Sequence, residues 1–188
     1  METPKGKKAT ASNTTKNAAH GLRDLFAVGL QDIYYAEKTL SKTWPNMAKN
    51  ASTPQLVTSI NKHLKETNEH ISRLEKIFEV TGIKPTAKKS DAMEGILKEN
   101  NDIINKTEQG IVRDACLIAA EQKIKHYEIA SYGTLHAYAK TIGEVKAASL
   151  LALNLDEEKK ADAVLTKLAM DAINNKFFTA DAITKTRI

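Results

Sequence analysis

The stretch His63-Leu64-Lys65-Glu66-Thr67-Asn68-Glu69-His70 places a carboxylate and an imidazole four residues apart in a segment with helical periodicity. Residues i and i+4 lie one above the other on the same face of an α-helix. Leu74 and Ile77 continue that face, so Glu66 and His70 are predicted to point toward the apolar side of the helix. A buried carboxylate needs a partner. The stretch therefore indicates a polar or metal-binding site inside the fold.

Three other helical segments each carry one acid on their apolar stripe. These acids and their apolar neighbours are Glu37 with Phe26, Ile33, Leu40 and Trp44; Glu128 with Leu117, Ile124 and Leu135; and Glu158 with Leu151, Ala161 and Leu165. Glu37 and Glu66 are 29 residues apart, and Glu128 and Glu158 are 30 residues apart, which suggests two duplicated halves. In this alignment His70 corresponds to Asp162, because each follows its glutamate by four residues.

The composition predicts an all-α fold in one domain. Glycine (8) and proline (4) are scarce among 188 residues, and Ala, Leu, Lys and Glu recur at helical spacing without period-two alternation. Helices are predicted over about 21–50, 54–82, 107–143 and 144–176, with a short extra helix near 92–97 and with Pro45 inside the first. Two short turns and one long crossover describe the ferritin-like four-helix bundle.

The two ends of the chain are predicted to lie outside the bundle. Of the net charge of +5, residues 1–20 carry +3, so the remainder is nearly balanced. We predict a disordered basic tail over 1–19, the bundle over 20–176 and a loosely packed tail over 177–188. Nucleic acid is not an expected partner, because polar termini are disordered by default. No apolar run approaches the ~20 residues that span a bilayer and no secretory signal is evident, so we expect a cytoplasmic protein.

The inward acids indicate a di-metal site. Burying a carboxylate costs several kcal/mol, and four carboxylates around one point would also repel each other. Two divalent cations would bring +4 against −4, and bridging carboxylates can hold two metals about 3.5–4 Å apart. Carboxylates with imidazole favour iron, as a di-iron centre, or manganese. The predicted metal ligands are Glu37, Glu66, His70, Glu128, Glu158 and Asp162, with Glu121 in reserve.

Six short segments add a family resemblance. They are 32–38 (DIYYAEK), 63–70 (HLKETNEH), 92–95 (AMEG), 112–115 (VRDA), 126–135 (HYEIASYGTL) and 156–159 (DEEK). Together they resemble the YciF/YciE family of bacterial stress proteins, a branch of the ferritin-like superfamily, over roughly residues 20–175. The resemblance implies a ferritin-like bundle, a dimeric cytoplasmic protein, a di-metal site in the core and a role in osmotic, envelope or oxidative stress.

One position departs from the family. Members of it often carry Glu where this chain has Lys125, one helical turn before Glu128. A cation at this position predicts a lower affinity or stoichiometry for metal. We also expect a homodimer, because the resemblance implies one and because Trp44, Phe177 and Phe178 have no obvious place inside the bundle.

Three functional hypotheses follow from these residues. The leading one is a non-haem di-iron or iron–manganese protein that oxidises Fe²⁺ or consumes peroxide or dioxygen under stress. The alternative is a metal-free helical interaction protein in which Lys125 and its neighbours neutralise the acids. A third hypothesis, a nucleoid-protecting miniferritin with its basic tail on DNA, is disfavoured because miniferritins build their metal site between subunits, whereas these ligands fit inside one bundle.

Overall fold

The structure, a computed structural model, describes residues 21–174, which form five α-helices and one π-helical turn. The helices are α1 (Leu22–Asn50), α2 (Pro54–Thr81), α3 (Asp91–Lys106), α4 (Ile111–Thr141) and α5 (Val145–Leu168), and the π-helical turn follows at Ala169–Asn174. No strand occurs in residues 21–174, and the predicted all-α fold is confirmed. The predicted tails, 1–19 and 177–188, lie outside the described residues.

The four long helices pack as a ring. Helix α1 packs on α2, α2 on α5, α5 on α4, and α4 closes the ring against α1. Short turns join α1 to α2 and α4 to α5, whereas the connection from α2 to α4 contains α3, which packs on α4. This order is the predicted ferritin-like four-helix bundle with a long crossover.

The ends of the helices follow local backbone chemistry. Helix α1 continues through Pro45, because a proline removes only a single backbone donor. The helix ends at Asn50. Pro54 begins α2, and Gly82, at φ 68°, ends it in the left-handed conformation that glycine adopts most readily. Helix α4 begins at Ile111, four residues later than predicted, after Gly110 at φ 145°.

Helix α3 is longer than the predicted helical segment over 92–97. The Ser90 side chain caps its first turn by accepting a hydrogen bond from the Met93 N–H. Met93, Leu97 and Asn100 form its buried face, so the buried stripe continues past the predicted end. The Tyr35 hydroxyl also donates to Glu94 at 2.7 Å, which ties α3 to α1.

The turn between α1 and α2 is anchored by a residue from α4. Buried Asp114 accepts hydrogen bonds from the backbone N–H groups of Ser52 and Thr53, both at 2.8 Å, and from the Thr53 hydroxyl at 2.5 Å. Thr53 makes no side-chain cap of its own. Asp114 therefore provides the negative charge and the acceptor that favour the N-terminus of α2.

Apolar side chains from all four bundle helices form one core. Its fully buried members include Phe26, Leu30, Ile33, Leu40, Met47, Ile60, Leu74, Leu117, Ile124, Leu151 and Leu165. Trp44 also belongs to this core, and its indole N–H donates to the Thr67 hydroxyl at 2.9 Å. The expectation that Trp44 has no place inside the bundle is therefore wrong. None of the helices within residues 21–174 has an apolar stretch long enough to cross a membrane.

Candidate metal centre

Each long helix places one polar side chain into the middle of the bundle. Glu37 comes from α1, His70 from α2, Glu128 from α4 and Glu158 from α5, and all four are almost completely buried. Each lies on the buried face of its helix, between buried residues one turn before and one turn after. The structure therefore brings together four of the six predicted ligands.

Three of these four side chains form a compact donor group. The His70 Nδ1 atom lies 3.1 Å from Glu37 Oε1 and 3.2 Å from Glu158 Oε1. One ligand atom from each of Glu37, His70 and Glu158 lies within 4.8 Å of the others. Glu37 Oε2 is buried and has no hydrogen-bond partner. The group thus offers two carboxylates and an imidazole to a single cation.

Neighbouring side chains hold this group in place. The Tyr132 hydroxyl donates to Glu37 Oε1 at 2.5 Å. On the other side of the imidazole, His70 Nε2 lies 2.9 Å from Glu157 Oε2. A histidine that donates one ring N–H to a carboxylate keeps its second nitrogen free to bind a metal, an arrangement common in metalloproteins. Glu157 thus favours the tautomer with the proton on Nε2, which leaves Nδ1, the atom that faces Glu37 and Glu158, available to a metal.

Lys125 occupies the other half of the cluster. Its ammonium lies 2.8 Å from Glu128 Oε2 and 2.7 Å from Glu158 Oε2, and the side chain is fully buried. It also lies over the Trp44 ring, 5.2 Å from the centroid. Two carboxylates that could bridge metals are thus paired with one lysine instead.

The pKa values of the cluster reflect burial and charge together. Burial would lower the pKa of Lys125, but Glu128 and Glu158 outweigh it and raise that pKa, so the ammonium stays charged. Burial raises the pKa of Glu128 well above its usual value, and Glu158 raises it further. Burial alone would lower the pKa of His70, but Glu37 and Glu158 reverse that effect. Protons and Lys125 thus compensate the carboxylates where no metal does.

A second buried pair lies beside Lys125, outside the donor group. His63 Nδ1 and Glu121 Oε2 are 3.0 Å apart, but neither atom has a well-oriented hydrogen-bond partner. Burial raises the pKa of Glu121 to about 8, and burial together with Lys125 lowers the pKa of His63 to about 2. Burial therefore favours the neutral forms of both groups. Glu121 is not part of the donor group of Glu37, His70 and Glu158.

Glu66 lies at the edge of the bundle rather than in its centre. Its side chain is 19% exposed and pairs with Lys62 at 2.7 Å. The expectation that Glu66 faces the core is wrong, because Thr67 is the α2 residue one turn before His70 that is fully buried. Inward ligand pairs on bundle helices are spaced i, i+3, so the inward partner of His70 is position 67.

Asp162 also lies outside the central group. Its side chain is 23% exposed and its Oδ1 atom lies 3.4 Å from His126 Nε2. Ala161, one residue earlier, is the buried α5 residue at i+3 from Glu158. The expected correspondence of His70 with Asp162 is thus off by one residue.

A single offset of 91 residues relates the buried positions of the two halves. It pairs Glu37 with Glu128 and Thr67 with Glu158, and it continues through Ile60 with Leu151, His63 with Asn154, His70 with Ala161 and Leu74 with Leu165, all of them buried. The match of Glu66 with Glu158 and of His70 with Asp162 corresponds to an offset of 92, which aligns acids and not buried positions. Burial, which reflects the packing of the bundle, instead requires the same register in both pairs of helices.

These positions fit one metal ion better than two. Bundle di-metal sites use a Glu from each of two helices and a Glu-x-x-His pair from each of the other two. Here Thr67 and Ala161 stand where that pattern has a Glu and a His, and neither can replace those ligands. Lys125 fills the space between Glu128 and Glu158. The donors that remain, Glu37, His70 and Glu158, suit a single divalent cation.

Two contributors were not identified from the sequence as part of the site. Glu157 was not singled out, because its role depends on Arg73 of α2, 84 residues away along the chain. Thr67 carries no ligand chemistry that would attract attention. Thr67, His70 and Leu74 follow the helical spacing i, i+3 and i+7, and all three are buried. This spacing is the sequence signal for which face of α2 points inward.

Comparisons with known proteins agree with this fold. Residues 21–177 match the family described as a domain of unknown function, DUF892. The chain is 44% identical to protein YciF of Escherichia coli K12 over 156 residues, which are 82% of this chain and 94% of YciF.

Two solved structures extend the comparison. The crystal structure of the E. coli stress protein YciF superposes with a TM-score of 0.80 at 43% identity, covering 83% of this chain and 99% of that one. YcfI from Rhodopseudomonas palustris gives a TM-score of 0.79 at 36% identity, covering 84% and 99%. The chain therefore belongs to the DUF892 family and is YciF-like in both sequence and fold.

Proposed function

We propose that this protein is a YciF-like stress protein that binds one divalent transition-metal ion, iron or manganese, between Glu37, His70 and Glu158. The observation that carries the proposal is the buried donor group, in which three ligand atoms lie within 4.8 Å of one another and Glu37 Oε2 has no partner. Buried unpaired carboxylate oxygens are uncommon in folded proteins, and a bound cation accounts for them.

The types of donor support iron or manganese. Carboxylate and imidazole together suit these metals better than the thiolate-binding soft metals, and no cysteine of the described residues belongs to the group. A bound iron ion would supply one-electron chemistry toward Fe²⁺ oxidation, peroxide or dioxygen. The chain itself would contribute Tyr132, which orients Glu37, and Glu157, which orients His70.

Lys125 limits the site to one ion in this proposal. Its ammonium takes two of the carboxylate oxygens that a second ion would need. The di-iron site expected from the sequence is the alternative outcome, in which Lys125 turns away and Glu128 joins the ligands. The metal-free interaction protein is the second candidate function. It is supported by Lys125, which is fully buried and forms ion pairs with Glu128 and Glu158, so that these carboxylates have a counter-charge without a metal.

Metal titration separates these three possibilities. Protein purified without chelators and then stripped of metal is titrated anaerobically with Mn²⁺ or Fe²⁺ in a calorimeter. We expect one ion per chain, weakened at least tenfold by Glu37→Gln and by His70→Ala, since each removes a ligand. Glu66→Gln is the matched control, because Glu66 lies outside the group, and it should leave the affinity unchanged.

The stoichiometry decides among the candidates. Two ions per wild-type chain would support the di-metal alternative, and no saturable binding would support the metal-free one. The variant Lys125→Glu extends the test, because it restores a carboxylate at the second position. We expect it to raise the stoichiometry from one to two, whereas Lys123→Glu, on the exposed side of the same helix, should not.

A further inference from the structure

The buried donor group has one neighbour that reaches toward solvent. In the hydrogen bonds and ion pairs of residues 21–171, the side chains that contact Glu37, His70 or Glu158 from outside the group are the buried Glu128, together with Tyr132, Lys125 and Glu157. Tyr132 and Lys125 are fully buried, whereas the Glu157 side chain is 28% exposed. Glu157 therefore connects the surface at the α2–α5 interface with His70 in the core.

Arg73 of α2 lies across that connection. Its two terminal nitrogens contact the two oxygens of Glu157 at 2.5 and 3.0 Å, which is a bidentate pair. The same guanidinium donates to Asn154 Oδ1 at 2.9 Å and contacts the exposed Glu69 at 3.2 Å. Arg73 itself is only 18% exposed. These four contacts place a positive charge at the point where Glu157 reaches His70.

We propose that Arg73 and Glu157 form a gate through which a divalent cation enters the buried site. The proposal rests on the proposed function. A guanidinium repels an incoming cation, so the ion cannot pass Glu157 until Arg73 moves away. When Arg73 moves, Glu157 and Glu69 present two free carboxylates at the surface, and both attract the ion. Glu157 Oε2 lies 2.9 Å from His70 Nε2, whereas Nδ1 of the same ring faces Glu37 and Glu158, so the ion passes from Glu157 around the imidazole to reach the donor group.

The two gate residues have separable roles. Arg73 closes the path but contacts neither Glu37 nor Glu158, so its loss should change the rates of binding and release together. Glu157 also holds His70 through the 2.9 Å contact with Nε2, so its loss should weaken binding as well. Loss of such a carboxylate partner of a metal-binding histidine typically costs 10- to 100-fold in affinity.

Binding kinetics provide the first test. Trp44, the one tryptophan of the chain, reports Co²⁺ entry by fluorescence quenching in a stopped-flow instrument. We expect Arg73→Gln to raise both the association and the dissociation rate by about tenfold, the factor for a barrier about 1.4 kcal/mol lower. The dissociation constant should stay within threefold of wild type. Glu157→Ala should accelerate both rates and also weaken the dissociation constant tenfold or more.

A matched control guards against general loosening of the helices. Arg23 pairs with Glu144 at 2.7 Å on a different part of the surface and contacts no member of the donor group. Arg23→Gln should leave all rates unchanged. Rates within twofold of wild type in Arg73→Gln would overturn the gate, and so would equal acceleration in Arg23→Gln.

Chemical labelling provides a second test that needs no metal. Diethyl pyrocarbonate is applied to the metal-free protein, and modification of each histidine is followed by peptide mass spectrometry. Exposed His126 and buried His63 serve as internal references. We expect His70 to react about tenfold faster in Arg73→Gln than in wild type, at unchanged rates for the references. An unchanged His70 rate would overturn the gate.

The two tests separate failure of the gate from failure of the proposed function. If wild-type protein binds no metal in the equilibrium titration, the proposed function fails, and the labelling rates still decide whether Arg73 closes the path to His70. If wild type binds metal but neither the rates nor the labelling respond to Arg73→Gln, the function stands and the gate is wrong.

Discussion

Lys125 provides a positive charge for two of the core carboxylates, Glu128 and Glu158. A fully buried lysine is uncommon unless paired, and this one has two carboxylate partners and an aromatic face within 5.2 Å. The ammonium supplies a charge that a metal ion would otherwise supply. We therefore expect the bundle to fold without metal.

Replacement of Lys125 by methionine tests this compensation. The change keeps most of the length of the side chain but leaves Glu128 and Glu158 without their cation. Removal of one partner from a buried ion pair costs about 3–5 kcal/mol, and we expect a loss of this size in urea unfolding with a chelator present. Added Mn²⁺ should restore part of the loss.

Lys123→Met is the control, because Lys123 forms an exposed pair with Glu99. It should change stability by less than about 0.5 kcal/mol. An equally small loss in Lys125→Met would contradict the role of Lys125 as the counter-charge of Glu128 and Glu158.

The carboxyl group of Glu121 predicts a dependence of stability on pH. Burial raises its pKa from 4.5 in the unfolded chain to about 8 in the fold. Between these values the folded protein holds a proton that the unfolded chain releases, so this group's contribution to the free energy of unfolding falls as pH rises from about 5 to 8. Glu121→Gln removes that dependence. We therefore expect the variant to gain stability relative to wild type across this interval.

Urea unfolding at pH 5.5, 7 and 8.5, with a chelator present, measures this effect. The difference between Glu121→Gln and wild type should grow by about 1 kcal/mol or more, since one pKa unit corresponds to 1.36 kcal/mol. His63 and Lys125, which face Glu121, are retained in both proteins. A difference that is the same at all three pH values would show that Glu121 does not titrate in this interval.

At the scale of the helices, packing decides which residues face the site. Helix α2 buries His63, Thr67, His70 and Leu74 in steps of three and four residues, the spacing of a bundle seam. Glu66 flanks this seam, and Lys62 pairs with it there. A carboxylate next to the seam can reach water and a lysine, so its presence on the helix does not make it a ligand.

Asp114 provides a prediction about the junction of three helices. It accepts three hydrogen bonds from Ser52 and Thr53 at the start of α2. Asp114→Ala leaves the part-buried Ser52 N–H, the buried Thr53 N–H and the Thr53 hydroxyl without an acceptor. An unsatisfied buried group costs about 1–3 kcal/mol, so we expect a total loss of about 3 kcal/mol in thermal or urea unfolding. Asp102→Ala, at an exposed position of α3, is the control, and similar small losses in both would show that Asp114 does not anchor the turn.

At the scale of the whole molecule, a bound metal should stabilise the fold. A ligand that binds only the folded state at 100 times its dissociation constant adds about 2.7 kcal/mol. For a domain of this size that corresponds to a rise in Tm of about 5–10 °C. Differential scanning calorimetry with Mn²⁺ and with chelator measures the shift. The shift should vanish in Glu37→Gln/Glu158→Gln, and its persistence there would place the ion elsewhere.

The homodimer expected from the family resemblance remains a prediction. Seven large apolar side chains of the described part are more than 40% exposed: Leu25, Val80, Val112, Val145, Leu153, Val164 and Met170. Specific dimers generally bury at least about 1,000 Å², and these side chains could contribute to such an interface. Sedimentation velocity at micromolar concentration should give twice the chain mass of 20.7 kDa. A single monomeric species would contradict it.

The sequence by itself determined the fold class and the number and order of the long helices. Scarce glycine and proline, apolar stripes at helical spacing and one long connection are local properties of the chain, and each acts without reference to the other helices. The same stripes identified Glu37, His70, Glu128 and Glu158 as inward residues. These four residues lie near the middle of long apolar stripes. The apolar residues on both sides leave little freedom to assign the inward position to a neighbouring residue.

Only the tertiary structure decided the composition of the site. Glu66 and Thr67 are adjacent on α2, and the choice between them depends on how α2 rotates against α1 and α5, which is set by the packing of core residues on all three helices. The same holds for Asp162 and Ala161. Lys125 reaches Glu128 and Glu158 only because α4 and α5 are packed together. The contact of Glu157 with His70 and Arg73 joins two helices that are far apart in the sequence, so no local pattern could have indicated it.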